Sequence, residues 1–217
     1  MNIGVLGTGM VGDAIGTKLI QLGHSVKMGS RAEGNEKAAA WVKKNGAHAS
    51  AGTFAEAAQF GEIIFNCTAG IGSLDALRAA GSKNLSEKIL IDVSNPLDFS
   101  KGMSPLLTVS NTDSLGEQIQ RALPDVNVVK AFNTLSNPLM VNPALVNNGD
   151  HTLPICGNDA AAKAKVVSLL QTFGWKTENI LDLGDITAAR GMEAWLLIWI
   201  RMYGTFQSPM FQMKIVK

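Results

Sequence analysis

The segment NIGVLGTGMVGDAIG, residues 2–16, constrains the fold more than any other part of the chain. A short run that can be buried as a strand meets Gly7, Gly9 and Gly12 in the spacing G-x-G-x-x-G, and a helical pattern then runs from Met10 to Leu22. Each glycine has its own reason. The first permits a tight turn, the second lets the backbone approach a pyrophosphate, and the third lets helix and strand pack closely. The new helix then offers free N–H groups and the positive end of its dipole to the phosphates. A ligand-free tight turn is the alternative, but a βαβ unit follows directly and favours a dinucleotide site.

The same alternation continues. SVKMG, EIIFNC, KILIDV and VNVVKAF read as buried strands, with helical stretches at Glu33 to Asn45 and Asp113 to Leu123 between them. This pattern predicts an α/β protein with a Rossmann-type, doubly wound and largely parallel sheet. Beyond Pro138, HTLPICG and NILDLG are candidate strands around a helix from Asp159 to Phe173, and a last helix runs from about Ile186 to Phe206. The expected organisation is a dinucleotide-binding unit over residues 1–137 and a helical C-terminal extension over residues 138–217, with no clear linker between them.

Composition narrows the function classes. With 46% hydrophobic residues, 17% charged residues and a formal net charge of +1, the chain shows neither a nucleic-acid footprint nor the signature of disorder. No apolar run approaches the ~18 residues of a membrane span, and no leader-like segment opens the sequence. Cys67 and Cys156 lie far apart in apolar surroundings, which suggests neither a disulfide nor a C-x-x-C site. The expectation is a cytoplasmic protein without a membrane span.

The choice of dinucleotide turns on SVKMGSR. An Asp or Glu about 20 residues after the glycine loop usually binds the adenosine ribose 2′-OH of NAD. Here the strand ends instead on Gly29, Ser30 and Arg31. A hydroxyl and a planar guanidinium suit a 2′-phosphate, so the expected cofactor is NADP(H). Lys37, about one helical turn on, can add charge. The competing reading makes Ser30 the cap of a helix beginning near Glu33 and Arg31 a solvated surface charge.

These residues also carry a family resemblance. IGVLGTGMVGDAIGTKLIQLGHSVKMGSR resembles the start of F420-dependent NADP oxidoreductases. LIDVSNPL and VVKAFNT are similar to the cytosolic reductase domain of the six-transmembrane metalloreductases, which belong to the same group, and LPICGNDAAAKAKVVSLLQTFGW fits it too. The resemblance implies hydride transfer between NADPH and a small-molecule flavin-like acceptor, the deazaflavin F420 or else FMN or FAD. It implies Thr8, Gly9, Met10 and Val11 at the pyrophosphate and Ser30 and Arg31 at the 2′-phosphate. Asn95, Pro96, Ala131, Phe132 and Asn133 would lie near the nicotinamide. One departure is CTAGIGS, where the family often has a bulky residue and a His. Thr68, Ala69 and Gly70, counted here with the cofactor-binding residues, either leave room for a different acceptor or form a turn. In the family the last helix and tail pack near the acceptor and against a second subunit. The stripe Met192, Trp195, Trp199, Met202 and Phe206 is therefore expected at a homodimer interface.

The remaining candidates are weaker. His24, His48 and His151 have no spacing that places two on one face, so no metal is expected and loop or strand-edge positions are. Cys67 reads as a small buried hydrophobe. Lys130 is either a proton donor or an outward-facing strand residue. No Lys occurs between Lys176 and Lys214, so no side chain is assigned as an obligatory acid or base. Two other functions compete: an NADPH-dependent carbonyl or imine reductase, and a non-catalytic NADP-sensing module.

Overall fold

Each apolar run that the sequence marks as a strand splits its side chains between two faces, as a strand's two-residue period requires. The computed structural model describes residues 1–103 and 105–216. Its strands are β1 (Asn2–Leu6), β2 (Ser25–Ser30), β3 (Ala49–Thr53), β4 (Ile63–Asn66), β5 (Ile89–Asp92), β6 (Leu97–Asp98), β7 (Leu106–Leu107), β8 (Asn127–Lys130), β9 (Leu153–Gly157) and β10 (Ile180–Asp182). Its α-helices are α1 (Met10–Gln21), α2 (Glu36–Asn45), α3 (Phe54–Phe60), α4 (Ser73–Ala80), α5 (Ser82–Leu85), α6 (Leu115–Ala122), α7 (Asn137–Val141), α8 (Ala160–Thr172) and α9 (Ala189–Phe206).

Eight strands form one sheet in the order β10-β9-β8-β5-β4-β1-β2-β3, and β6 pairs with β7 in a separate small hairpin. Every pairing in the large sheet is parallel except β8 with β9. On one face Ile3, Val5, Phe65, Ile91 and Val129 pack under α1, α2 and α8. On the other, Leu6, Ile64, Leu90 and Val128 pack under α3, α4, α6 and α9. The chain builds outward from β1 to β2 and β3, then crosses to β4 on the other side. Sites in such sheets form in the crevice at the carboxyl ends of the strands flanking this reversal.

Two differences from the sequence reading have local causes. Residues ASAGT, almost without branched side chains, still form β3, because the edge of β2 supplies a parallel ladder over five residues. The helix that follows is legible after the fact: Thr53 and Glu56 make a reciprocal capping box at its start. At α2 the cap is Asn35, whose side chain accepts from the Ala38 N–H at 3.0 Å. Ser30 is therefore not the cap, and the helix begins at Glu36 rather than near Glu33.

The C-terminal residues fold back over the molecule. Ser136 Oγ donates to the Pro209 carbonyl at 2.9 Å, Thr152 N–H to the Met213 carbonyl at 2.8 Å, and Lys214 pairs with Asp150. Among the described residues no helix is long and apolar enough to cross a membrane.

Candidate dinucleotide site and adjoining cleft

The three loop glycines divide into two that are packed and one that is open. Gly7 has φ +116°, and a Cβ there would stand 2.7 Å from the Cys67 carbonyl oxygen. A Cβ on Gly12 would stand 2.1 Å from the Gly7 carbonyl oxygen. At Gly9 a Cβ would meet nothing within 4 Å. Packing of the protein thus explains Gly7 and Gly12, whereas no neighbouring atom of the described residues requires a glycine at position 9. Helix α1 starts at Gly9 with no side-chain cap, so its first N–H groups are left to solvent or a ligand. Thr8, Gly9 and Met10 open onto a cleft of about 550 Å³ that Lys37, Trp41 and Asn137 also line.

The end of β2 lies alongside. Ser30 is buried, and its hydroxyl donates to the Ala32 carbonyl at 2.6 Å, closing its own turn. Arg31 is exposed and forms no ion pair or hydrogen bond with the described residues. A guanidinium with no ion-pair partner among the described residues is open to an anion.

A second cleft of about 390 Å³ lies at the carboxyl ends of β4 and β5, lined among others by Val11, Cys67, Thr68, Ala69, Gly70 and Asn95. A Cβ on Gly70 would stand 1.9 Å from the Asn95 carbonyl oxygen, so these two loops touch only because this residue is glycine. Asn95 and Asn133 clasp each other: Asn95 Nδ2 donates to the Asn133 carbonyl and Asn133 Nδ2 to Asn95 Oδ1, both at 2.9 Å. Asn133 Nδ2 also donates to the Met192 carbonyl of α9 at 3.0 Å. Its Oδ1 is buried without a partner. Phe132 precedes it with φ +66°, a strained conformation for this residue type, held by ring contacts to Phe173 at 5.9 Å and Trp175 at 6.3 Å.

Not every residue of the expected site reaches a cleft. Ala131 and Phe132 are wholly in the core, and Asn133 is itself buried, meeting the 390 Å³ cleft only through Asn95, which lines it. Pro96 is buried and its carbonyl accepts from Thr108 N–H at 2.8 Å, anchoring the β6–β7 hairpin whose Leu97, Asp98 and Phe99 flank the cleft.

Lys130 corrects the sequence reading outright. It is neither outward-facing nor free to donate, being 0% exposed, with Nζ at 2.6 Å from Asp92 Oδ2, 2.9 Å from Glu193 Oε1 and 2.9 Å from the Ser94 carbonyl. Burial works to lower the pKa of its ammonium, but Asp92 and Glu193 outweigh burial and hold it above the ordinary lysine value. Asp92 also accepts from Asn66 Nδ2, Ser94 N–H and Ser94 Oγ, and Asn66 in turn accepts from Thr68 Oγ1 at 2.7 Å. Glu193 accepts the Leu115 and Gly116 N–H groups at the start of α6, each at 2.9 Å. None of Asn66, Asp92, Ser94 or Glu193 was marked by sequence. The one available signal is an acid set inside the apolar run GMEAWLLIWI. Burial first, and the Asp92 carboxylate second, push the Cys67 thiol far above its usual value, consistent with an inert residue. His151 lies in the loop just before β9, as expected, but is buried there, with Nε2 2.9 Å from the Pro143 carbonyl and its ring edge-on to Trp175.

Comparison with known proteins agrees with this geometry. Residues 2–96 match the family described as NADP oxidoreductase, coenzyme F420-dependent. The chain is 45% identical, with a TM-score of 0.93, to a crystallised candidate F420-dependent NADP-reductase from Arthrobacter sp. FB24, covering 99% of each chain. It is 32% identical over 211 residues to Metalloreductase STEAP3 of Rattus norvegicus, which takes in 95% of this chain but spans only 38% of that protein. An imine reductase from Myxococcus stipitatus in complex with NADP+ shares the fold, at 17% identity and a TM-score of 0.66 over 95% of this chain and 64% of that one. The near-complete match at 45% identity, together with the glycine loop that opens the family's matched segment, establishes that the chain belongs to the coenzyme F420-dependent NADP oxidoreductases.

Proposed function

We propose that this protein binds NADPH along the glycine loop and passes hydride to a flavin or deazaflavin ring in the adjoining cleft. The residues fit the dinucleotide: Gly9 leaves space for a pyrophosphate against the uncapped start of α1, and the buried, unpartnered Asn133 Oδ1 is an acceptor waiting for a carboxamide N–H. When bound, NADPH supplies the hydride. Asn95, clasped to Asn133, holds the pair in register with α9, while Thr8, Arg31 and Lys37 face the phosphate end.

One observation carries the choice of acceptor. Among the described residues lining the 390 Å³ cleft, the only ionisable groups are Cys67 and Asp98. The Cys67 thiol is too weak an acid, and the Ser100 N–H and hydroxyl hold the Asp98 carboxyl below its ordinary value. A carbonyl or imine reductase generally places an ionisable side chain as the proton donor, and neither ionisable group lining this cleft suits that role. A flavin-like ring needs only alignment. The test is anaerobic mixing of 4-deuterated NADPH with the deazaflavin coenzyme F420, FMN, FAD and riboflavin and, in parallel, with a ketone and a cyclic imine. Deuterium retained at C5 of the deazaflavin, or nicotinamide oxidation coupled to flavin reduction, is the expected outcome. Label appearing only in a ketone or imine would establish the reductase alternative, and binding without oxidation by any acceptor would leave a sensing module.

Arg31 should set the preference for NADPH over NADH. A charge-assisted hydrogen bond contributes about 1.5–3 kcal/mol, so Arg31→Ala should weaken NADPH by roughly ten- to a hundredfold and leave NADH nearly unchanged. Equal affinity of the unmutated protein for both cofactors would count against it.

We further propose a homodimer through the outer face of α9. Met192 is core, but Ile198 and Phe206 are 52% and 55% exposed, and Val216 of the tail is 83% exposed. Trp199 is partly occupied within the chain, stacking on Tyr203 and Phe211 at 5.6 and 5.2 Å, so Ile198 is the cleaner probe. Sedimentation should show a dimer that Ile198→Glu dissociates. A stable monomer of the unmutated protein at micromolar concentration would exclude it.

A further inference from the structure

Three fully buried ionised side chains lie one layer beneath the floor of the 390 Å³ cleft, and their charges do not cancel. Asp92 receives donors from Asn66, Ser94 and Lys130, and Glu193 from Leu115, Gly116 and Lys130. Every one of these partners donates, so both groups are carboxylates. Lys130 Nζ donates to Asp92 and to the Ser94 carbonyl and forms an ion pair with Glu193 at 2.9 Å, three acceptor oxygens around one nitrogen, as an ammonium requires. One positive and two negative charges leave a net of one negative. Arg190 is paired with Glu117 at 2.5 Å and Arg121 with Asp113 at 2.8 Å, while Asp98, on the solvent side of the same cleft and in no ion pair with the described residues, adds a further negative charge. The flanking thiols are neutral, Cys156 being pushed up by burial to about 12 and Cys67 higher still. The start of α6 offsets part of the Glu193 charge with roughly +0.5, which leaves the cluster negative.

Ser94 connects this cluster to the cleft. It lines the cleft beside Asn95, donates Oγ–H to Asp92 at 2.6 Å and lends its carbonyl to Lys130 at 2.9 Å, so a single residue separates the charges from a nicotinamide held at Asn95 on the cleft floor, with the acceptor ring stacked over its outer face. Buried charge of this kind is little screened by solvent or salt.

We propose that the Asp92–Lys130–Glu193 cluster, through its net negative charge, favours the oxidised nicotinamide over the reduced one and so biases bound NADPH toward releasing hydride. The inference rests on the functional reading above. In the transfer the C4–H bond breaks, both its electrons and the hydrogen leave for the acceptor ring, and the nicotinamide becomes a cation. Stabilising that cation from below lowers the barrier without any side chain touching it. Glu193 acts here through Lys130, as a positioning and electrostatic residue.

Titration of the unmutated protein, Glu193→Gln and Asp92→Asn with NADPH and with NADP+ tests this directly. Each substitution takes the net charge from one negative to zero. In every variant that circular dichroism shows to be folded, the ratio of the Kd for NADP+ to that for NADPH should rise about tenfold, whereas general loosening would weaken both alike. In the unmutated protein NADP+ should bind at least as tightly as NADPH, a result that needs no variant to fold. A ratio within twofold of the unmutated value in a folded variant, or NADPH binding tenfold tighter than NADP+ in the unmutated protein, would overturn the proposal. If the unmutated protein binds neither nucleotide, the functional reading fails instead.

Discussion

Gly9→Val should abolish dinucleotide binding, a loss of more than about a hundredfold in affinity, with the fold intact. The two halves of this expectation come from the same measurement of space. A Cβ at Gly9 meets no atom within 4 Å, so a side chain can be attached there without a clash at its first carbon, and the fold is expected to survive. The side chain would nevertheless stand where a pyrophosphate must approach the uncapped start of α1. Gly12 behaves in the opposite way, because a Cβ there would be 2.1 Å from the Gly7 carbonyl oxygen and would disrupt the turn itself. Circular dichroism and NADPH titration separate the outcomes. Tight NADPH binding by a folded Gly9→Val protein would show that the loop is a structural turn.

Lys130→Met should destabilise the protein by about 3–5 kcal/mol, the cost of leaving buried charge uncompensated. Asp92 and Glu193 would face each other's negative charge across the vacated ammonium, and the Ser94 carbonyl would lose its donor. Urea denaturation should show a lower midpoint with little change in slope. A loss below about 1 kcal/mol would mean that the carboxylates are relieved by protonation or water. The sign of the pH dependence follows from the raised pKa of Lys130. Its contribution is present in full below the unfolded lysine value of about 10.4 and is lost as pH rises through the higher folded value. The deficit of Lys130→Met should therefore be seen in full at neutral pH and shrink in strongly alkaline solution.

Much of this architecture was legible because the information is local. The strand-to-helix turn shows in the spacing of Gly7, Gly9 and Gly12, because the positive φ of Gly7 and the contact of Gly12 with the Gly7 carbonyl both arise within six residues, although Gly7 also packs against the distant Cys67 carbonyl. The strands β1, β2, β4, β5 and β8 show as apolar runs because a central parallel strand is covered on both faces. The missing acid at the end of β2 is likewise a statement about consecutive residues. Where small residues replaced branched ones, as in ASAGT, the local signal failed and the neighbouring strand decided.

Partners far apart in the chain were another matter. Asn95 and Asn133 are 38 residues apart, Asn133 and Met192 are 59, and Leu115 and Glu193 are 78. No periodicity links such positions, because which polar groups meet depends on sheet register and on where α9 crosses the strand ends. Lys130 shows the limit most clearly. Its strand pattern allowed either face, and burial could be inferred only once two carboxylates from β5 and α9 were known to reach it. The sequence by itself determined a doubly wound fold and a glycine-rich strand-to-helix turn, since both follow from short-range sterics and apolar periodicity. The tertiary structure alone decided that a charged cluster lies under the second cleft, since a buried ion is tolerated only where distant groups converge to compensate it.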